Sequence, residues 1–112
     1  MAKYNPNKVP YQIQEDILNS FCEVLFGLKS NADVKDFIKD LLNRQERIML
    51  ARRLMIANML FSGATYDEIQ NELRASPNTI SRVERWLHFG RRGYVKAILE
   101  AIKLKEKKFA GR

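Results

Sequence analysis

Between Asn78 and Arg85 the chain sets out a group of side chains suited to reading the edges of nucleic-acid bases. An Asn amide can bond adenine through two hydrogen bonds and an Arg guanidinium can do the same to guanine, while a Ser or Thr hydroxyl can contact base or phosphate. Projected at about 100° per residue, Asn78, Ser81, Arg82 and Arg85 share one arc of a helix, and Ile80, Val83 and Leu87 share the opposite one. One face packs and the other is free to read. Pro77 and Thr79 stand in the first turn, where unpaired backbone N–H groups can approach a phosphate.

Such a helix works only if something holds its apolar arc. Ser76 is a favourable N-cap and Pro77 is preorganised for the first helical position, so a helix is expected to start there. Just upstream, Thr65-Tyr-Asp-Glu68 has the capping-box pattern, and Ile69 and Leu73 form an inward i, i+4 pair. Two short helices separated by Arg74-Ala75 make a helix-turn-helix over 65–88. Short helix pairs of this kind also occur in proteins that touch no nucleic acid, and Asp67, Glu68 and Glu72 put negative charge on the first of the two.

The remaining periodicity is helical throughout, which predicts an all-α chain. Residues 1–10 hold two prolines and no helical rhythm and read as an extended, mobile arm. A helical domain is expected over 11–108. Its first helix runs from Tyr11 to about Phe26 on Ile13, Ile17, Leu18, Phe21, Val24 and Leu25. A second, about Asp33 to Leu42, is capped by Asn31 or Asp33 and turns Val34, Phe37, Ile38, Leu41 and Leu42 inward. A third opens at Asn43, whose spacing to Glu46 is that of a capping box, and ends at Gly63. Its apolar residues spread over more than one face, so it needs cover nearly all round, and a second copy of the chain is the simplest source. A last helix, about Tyr94 to Lys107, packs through Val95, Ile98, Leu99 and Ile102 and leads to a lysine-rich end.

The chain has 112 residues, 46% of them hydrophobic, which is one domain's worth of foldable material. Its net charge of +7 suits a polyanionic partner, and the charge is unevenly placed. Residues 13–40 carry three Lys against six acidic residues, whereas 76–92 carry four Arg against one Glu. The one cysteine, Cys22, can form no internal disulfide, and no Cys/His set has metal-ligand spacing, so neither a metal nor another cofactor is expected. With no signal-like or membrane-spanning stretch, the expected setting is a reducing cytoplasm. His88 and Cys22 lack an orienting carboxylate, which disfavours an enzyme. Arg52-Arg53 suits a phosphate contact, a ligand clamp or an ordinary solvated pair, and Arg91-Arg92 a backbone contact or a solvated turn.

From Leu41 to Ile102 the sequence resembles the tryptophan repressor superfamily, and more closely its small branch of tryptophan-repressor-like proteins. The resemblance is carried by Leu42-Asn-Arg-Gln-Glu-Arg47, by Ile69-Gln-Asn-Glu-Leu73, and by Ala75 followed by Thr79-Ile-Ser-Arg82. It implies a six-helix fold in an intertwined homodimer, two helix-turn-helix heads on double-stranded DNA, and DNA-facing positions at Gln70, Pro77, Asn78 and Ser81. The family's amino-acid pocket lies between two arginines that match Arg53 and Arg82. Three positions depart from the tryptophan-binding pattern: Val83 stands for a glycine, Trp86 for a small serine, and Asn43 for a hydroxyl residue. A branched side chain where a ligand ring would lie flat argues against tryptophan, so the heads are expected to be held without it, with Val83 and the Trp86 indole filling the space. Whether another small effector binds stays open. The expectation is therefore a dimeric, sequence-specific regulator, a repressor by analogy. The alternative is a protein-interaction or RNA-binding adaptor built on the same helix pair.

Overall fold

The computed structural model describes residues 5–110, with side chains as far as Lys105. Six α-helices and no strands occur among these residues: α1 (Tyr11–Gly27), α2 (Asn31–Leu41), α3 (Arg44–Phe61), α4 (Tyr66–Leu73), α5 (Pro77–Phe89) and α6 (Gly93–Ala110). Contacts divide the chain into two compact units, one up to Asn43 and one from Arg44 onward.

The first unit holds α1 and α2. Within the segment expected to be extended, Pro6–Lys8 form a 3-10 turn capped by the Asn5 side chain. The Gln14 side-chain amide donates to the Pro6 and Val9 carbonyls, each at 2.8 Å, and so ties this turn to α1. Residues 1–4 of the expected arm lie outside the described residues. The α2 cap is Ser30, whose hydroxyl accepts from the Asp33 N–H at 3.1 Å, in place of the expected Asn31 or Asp33. Ser30 has the extended backbone that an N-cap requires, and Asn31 already belongs to the helix. Phe21 and Phe37 approach with ring centroids 6.2 Å apart, joining the two helices. Yet no residue of α1 or α2 is buried. Ile13, Ile17, Leu18 and Val24 are exposed, and Phe26 is 91% exposed. Leu41, expected to turn inward, is exposed as well.

The second unit contains the core. Here α3 packs against α4, α5 and α6, and α5 packs against both α4 and α6. Ile56, Ala57, Ile69, Ala75, Ile80, Val83, Leu87 and Ile98 form one buried cluster drawn from all four helices and the α4–α5 turn. Gly63, with φ of +90°, ends α3. Its N–H reaches the Leu60 carbonyl and the Ala64 N–H reaches that of Met59, the paired bonds that close a helix through a left-handed residue. A large part of the unit's apolar surface stays uncovered. Ile48, Met49, Leu50, Leu54, Met55 and Phe61 on α3 are exposed. So are Leu99 and Ile102, which were expected to pack, while Ile98, next to Leu99, is buried. No helix among the described residues is long and apolar enough to cross a membrane.

Candidate nucleic-acid interface

The interface is assembled from the α4–α5 pair. The Thr65 hydroxyl accepts from the Glu68 N–H at 3.2 Å, and the Glu68 carboxylate accepts from the Thr65 N–H at 3.1 Å. The capping box read from the sequence is therefore complete. The Thr65 N–H and hydroxyl together hold the Glu68 carboxyl below its ordinary pKa, because both favour the ionised form. The helix ends at Arg74, whose N–H donates to the Gln70 carbonyl from a left-handed backbone (φ 53°). Arg52, on α3, reaches the same turn through Nη1, which donates to the Arg74 carbonyl at 3.4 Å.

Two residues later Ser76 caps α5, accepting from the Thr79 N–H at 3.2 Å, with Pro77 as the first helical residue. The helix then separates its two faces. Ile80, Val83 and Leu87 are buried, whereas Pro77, Asn78, Ser81, Arg82 and Arg85 are exposed. Thr79 and Gln70 are half-buried. The Thr79 hydroxyl lies 3.0 Å from that of Ser76, within the cap. The four residues singled out by helical projection thus lie together on the open side of α5.

One interaction fixing the pair was not foreseen. The Tyr66 hydroxyl, at the start of α4, donates to the Glu84 carboxylate on α5 at 2.8 Å. This bond raises the Tyr66 pKa, with burial and the Glu84 charge adding to it and the nearby Ser81 hydroxyl opposing it. The partners are 18 residues apart on different helices, so neither periodicity nor a local motif announces them.

Of the residues expected around an effector, Arg53, Arg82, Val83 and Trp86 do line one cavity, of about 270 Å³. Thr79 and Tyr94, not assigned there from sequence, complete the lining. Asn43 ends the first unit and is not among these residues. Val83 turns into the core at 4% exposure. Trp86 is a wall and not a plug, since it remains 57% exposed. Gly90 allows this placement: a Cβ there would come within 2.5 Å of the Trp86 carbonyl oxygen and 3.3 Å of its indole. The space is narrowed and still open, slightly below the roughly 300 Å³ at which ordinary ligand pockets begin. Two guanidinium groups on its walls suit an anionic group. Among the described residues no group of three His, Cys, Asp or Glu side chains gathers as a metal site would require.

Residues 16–103 match the family described as Trp repressor protein. The chain is 38% identical over 81 residues to the uncharacterized protein YerC of Bacillus subtilis (strain 168), covering 72% of this chain and 78% of that one. It is similar in structure to a protein of Staphylococcus aureus provisionally designated a Trp repressor, with a TM-score of 0.72 and 32% identity over 84% of this chain and 96% of the other. A TrpR-like protein from Eubacterium eligens ATCC 27750 gives a TM-score of 0.68 at 32% identity, covering 85% and 94% of the two chains.

Proposed function

This chain belongs to the Trp repressor family, and from that premise we propose that it is a sequence-specific DNA-binding regulator of transcription, acting as a repressor. The observation that carries the proposal is the division of α5. Its buried arc of Ile80, Val83 and Leu87 anchors the helix, while Asn78, Ser81, Arg82 and Arg85 stand open on a helix whose N-terminus is presented by a tight turn. In this reading α5 enters the major groove N-terminus first, as the second helix of a helix-turn-helix does. Asn78, Ser81, Arg82 and Arg85 contact base edges, and Pro77, Thr79 and Gln70 lie against the backbone or the groove wall.

The working form is a homodimer. A first unit with no buried residue among those described cannot offset the entropy of ordering its own chain, and the exposed apolar residues of α3 and α6 have the same deficit. A second copy interleaved through these helices supplies the missing cover, and with it two reading heads for a pseudo-palindromic site.

L-Tryptophan is not the switch in this proposal. The cavity beside α5 is lined by a buried valine and a large indole, which narrow it to about 270 Å³. Isothermal titration tests this point: no heat of binding is expected at micromolar L-tryptophan, and a micromolar Kd refutes it. DNA recognition itself is tested by alanine substitution on α5. Arg82→Ala and Arg85→Ala are expected to weaken binding to the preferred duplex more than Lys107→Ala does, and to narrow its lead over mixed-sequence DNA. Uniform loss across sequences for all three contradicts base reading.

A further inference from the structure

Among the described residues two non-glycine positions have positive φ, Arg74 at 53° and Arg92 at 64°. Arg74 occupies the turn between α4 and α5, three residues before Pro77. The backbone there asks only for a residue that tolerates the left-handed region. Its N–H caps α4 and its carbonyl accepts from Arg52, and any amino acid except proline supplies both groups. Glycine would supply them without the crowding a Cβ introduces at this φ. The turn therefore holds a long cationic side chain at a position where its own geometry favours none. That side chain is exposed, and among the described residues its guanidinium makes no hydrogen bond or ion pair. Residues held in sparsely populated backbone regions of this kind cluster at functional sites.

The surroundings indicate which purpose. Arg74 stands at the end of the helix pair from which the α5 N-terminus projects, beside exposed Pro77 and Asn78. Arg52 grips the turn from α3, so the Cα from which the Arg74 side chain extends is held in place. α5 has 13 residues and is about 20 Å long, against a major groove about 12 Å wide, so the turn leading into it meets the sugar-phosphate strand bordering the groove. A guanidinium is the side chain best matched to a phosphate there. We propose that Arg74 is a phosphate-binding residue, clamping the sugar-phosphate strand that borders the groove where the α5 N-terminus enters. This inference rests on the DNA-binding reading above and adds to it a contact that sets position without reading sequence.

The test compares the full-length wild type with Arg74→Gly and Arg74→Lys, using a mixed-sequence 40-bp duplex titrated by fluorescence anisotropy between 50 and 200 mM salt. Thermal unfolding of each free protein is recorded alongside. Arg74→Gly is expected to melt a few degrees higher than wild type, through relief of the left-handed strain. It should nonetheless bind DNA several-fold more weakly at low salt, with the slope of log K against log[salt] reduced by about 0.9 per subunit. Arg74→Lys keeps a charge on the same strained backbone and is expected to keep most of the slope without the gain in melting temperature. Gain of stability together with loss of salt dependence is a combination that a purely structural role for Arg74 does not give. An Arg74→Gly slope equal to wild type overturns the proposal, as does a fall in both melting temperature and affinity, which would mean that the turn needs the arginine for its own shape. A wild type that binds no duplex at any salt refutes the DNA-binding reading itself.

Discussion

Replacing Ile80 by alanine separates the part of α5 that anchors from the part proposed to read. Ile80 is fully buried in the second unit, in the same cluster as Ile56 and Ile69, the other two largest side chains with no exposed surface. The substitution removes three carbon groups, worth about 0.8 kcal/mol each in transfer free energy, or roughly 2.4 kcal/mol together. The buried cluster around it is drawn from four helices and the α4–α5 turn, which cannot all collapse into the space, so a cavity term brings the expected loss to about 3–4 kcal/mol. That is a large fraction of the ~5–15 kcal/mol by which folded domains are stable. Urea unfolding at fixed protein concentration measures it. Trp86, the single tryptophan and itself on α5, gives a fluorescence signal to set beside helical circular dichroism. The two signals should move together to lower urea with the m-value unchanged. Ser81→Ala, one position along on the open face, is expected within about 0.5 kcal/mol of wild type. A loss below about 1.5 kcal/mol for Ile80→Ala, or a larger one for Ser81→Ala, refutes this assignment of faces.

Other consequences concern caps, titration and assembly. Thr65→Ala removes the hydroxyl half of the α4 capping box, leaving the residue 65 backbone N–H to the Glu68 carboxylate, and should cost about 1 kcal/mol in the same urea titration. The depressed Glu68 pKa also makes its contribution present above the unfolded value and lost as pH falls through the folded one, so wild type should lose more stability than Thr65→Ala between pH 5 and the acid limit. Tyr66 works in the opposite sense. Its raised pKa makes the phenol's contribution full below about pH 10 and lost as pH rises past it, and Tyr66→Phe should flatten that alkaline decline. Ile17→Glu places a charge on the exposed apolar face of α1, and sedimentation should show a shift from dimer to monomer with loss of helix content. A dimer as tight as wild type would show that this face is not covered by a second copy.

How far the sequence announced this structure depends on the range of each interaction. Thr65 with Glu68, and Ser76 with Pro77, lie within one turn of each other, and their caps form as the spacing predicts. Gly63 was legible for the same reason, since a left-handed end to α3 favours glycine. The division of α5 into buried Ile80, Val83 and Leu87 and exposed Asn78, Ser81, Arg82 and Arg85 followed from helical periodicity alone. Leu41, Leu99 and Ile102 show what periodicity leaves out. An apolar stripe tells that a face needs cover without telling which surface provides it, and within this chain these three residues stay exposed. Tyr66 with Glu84, and Tyr94 with Thr79 beside the cavity, come together only through packing of α5 against α4 and α6. Arg74 escaped notice for a different reason: its residue type gives no sign of a left-handed backbone.

The central claim, that two copies of α5 read a specific duplex, is tested most directly by selecting bound DNA from a random-sequence library with the purified protein. The account predicts enrichment of an inverted repeat whose half-sites lie about 34–36 Å apart, one helical turn of DNA, and loss of that enrichment in the Arg82→Ala and Arg85→Ala variants. Recovery of no common sequence, or of a single unrepeated motif indifferent to both arginines, would contradict it.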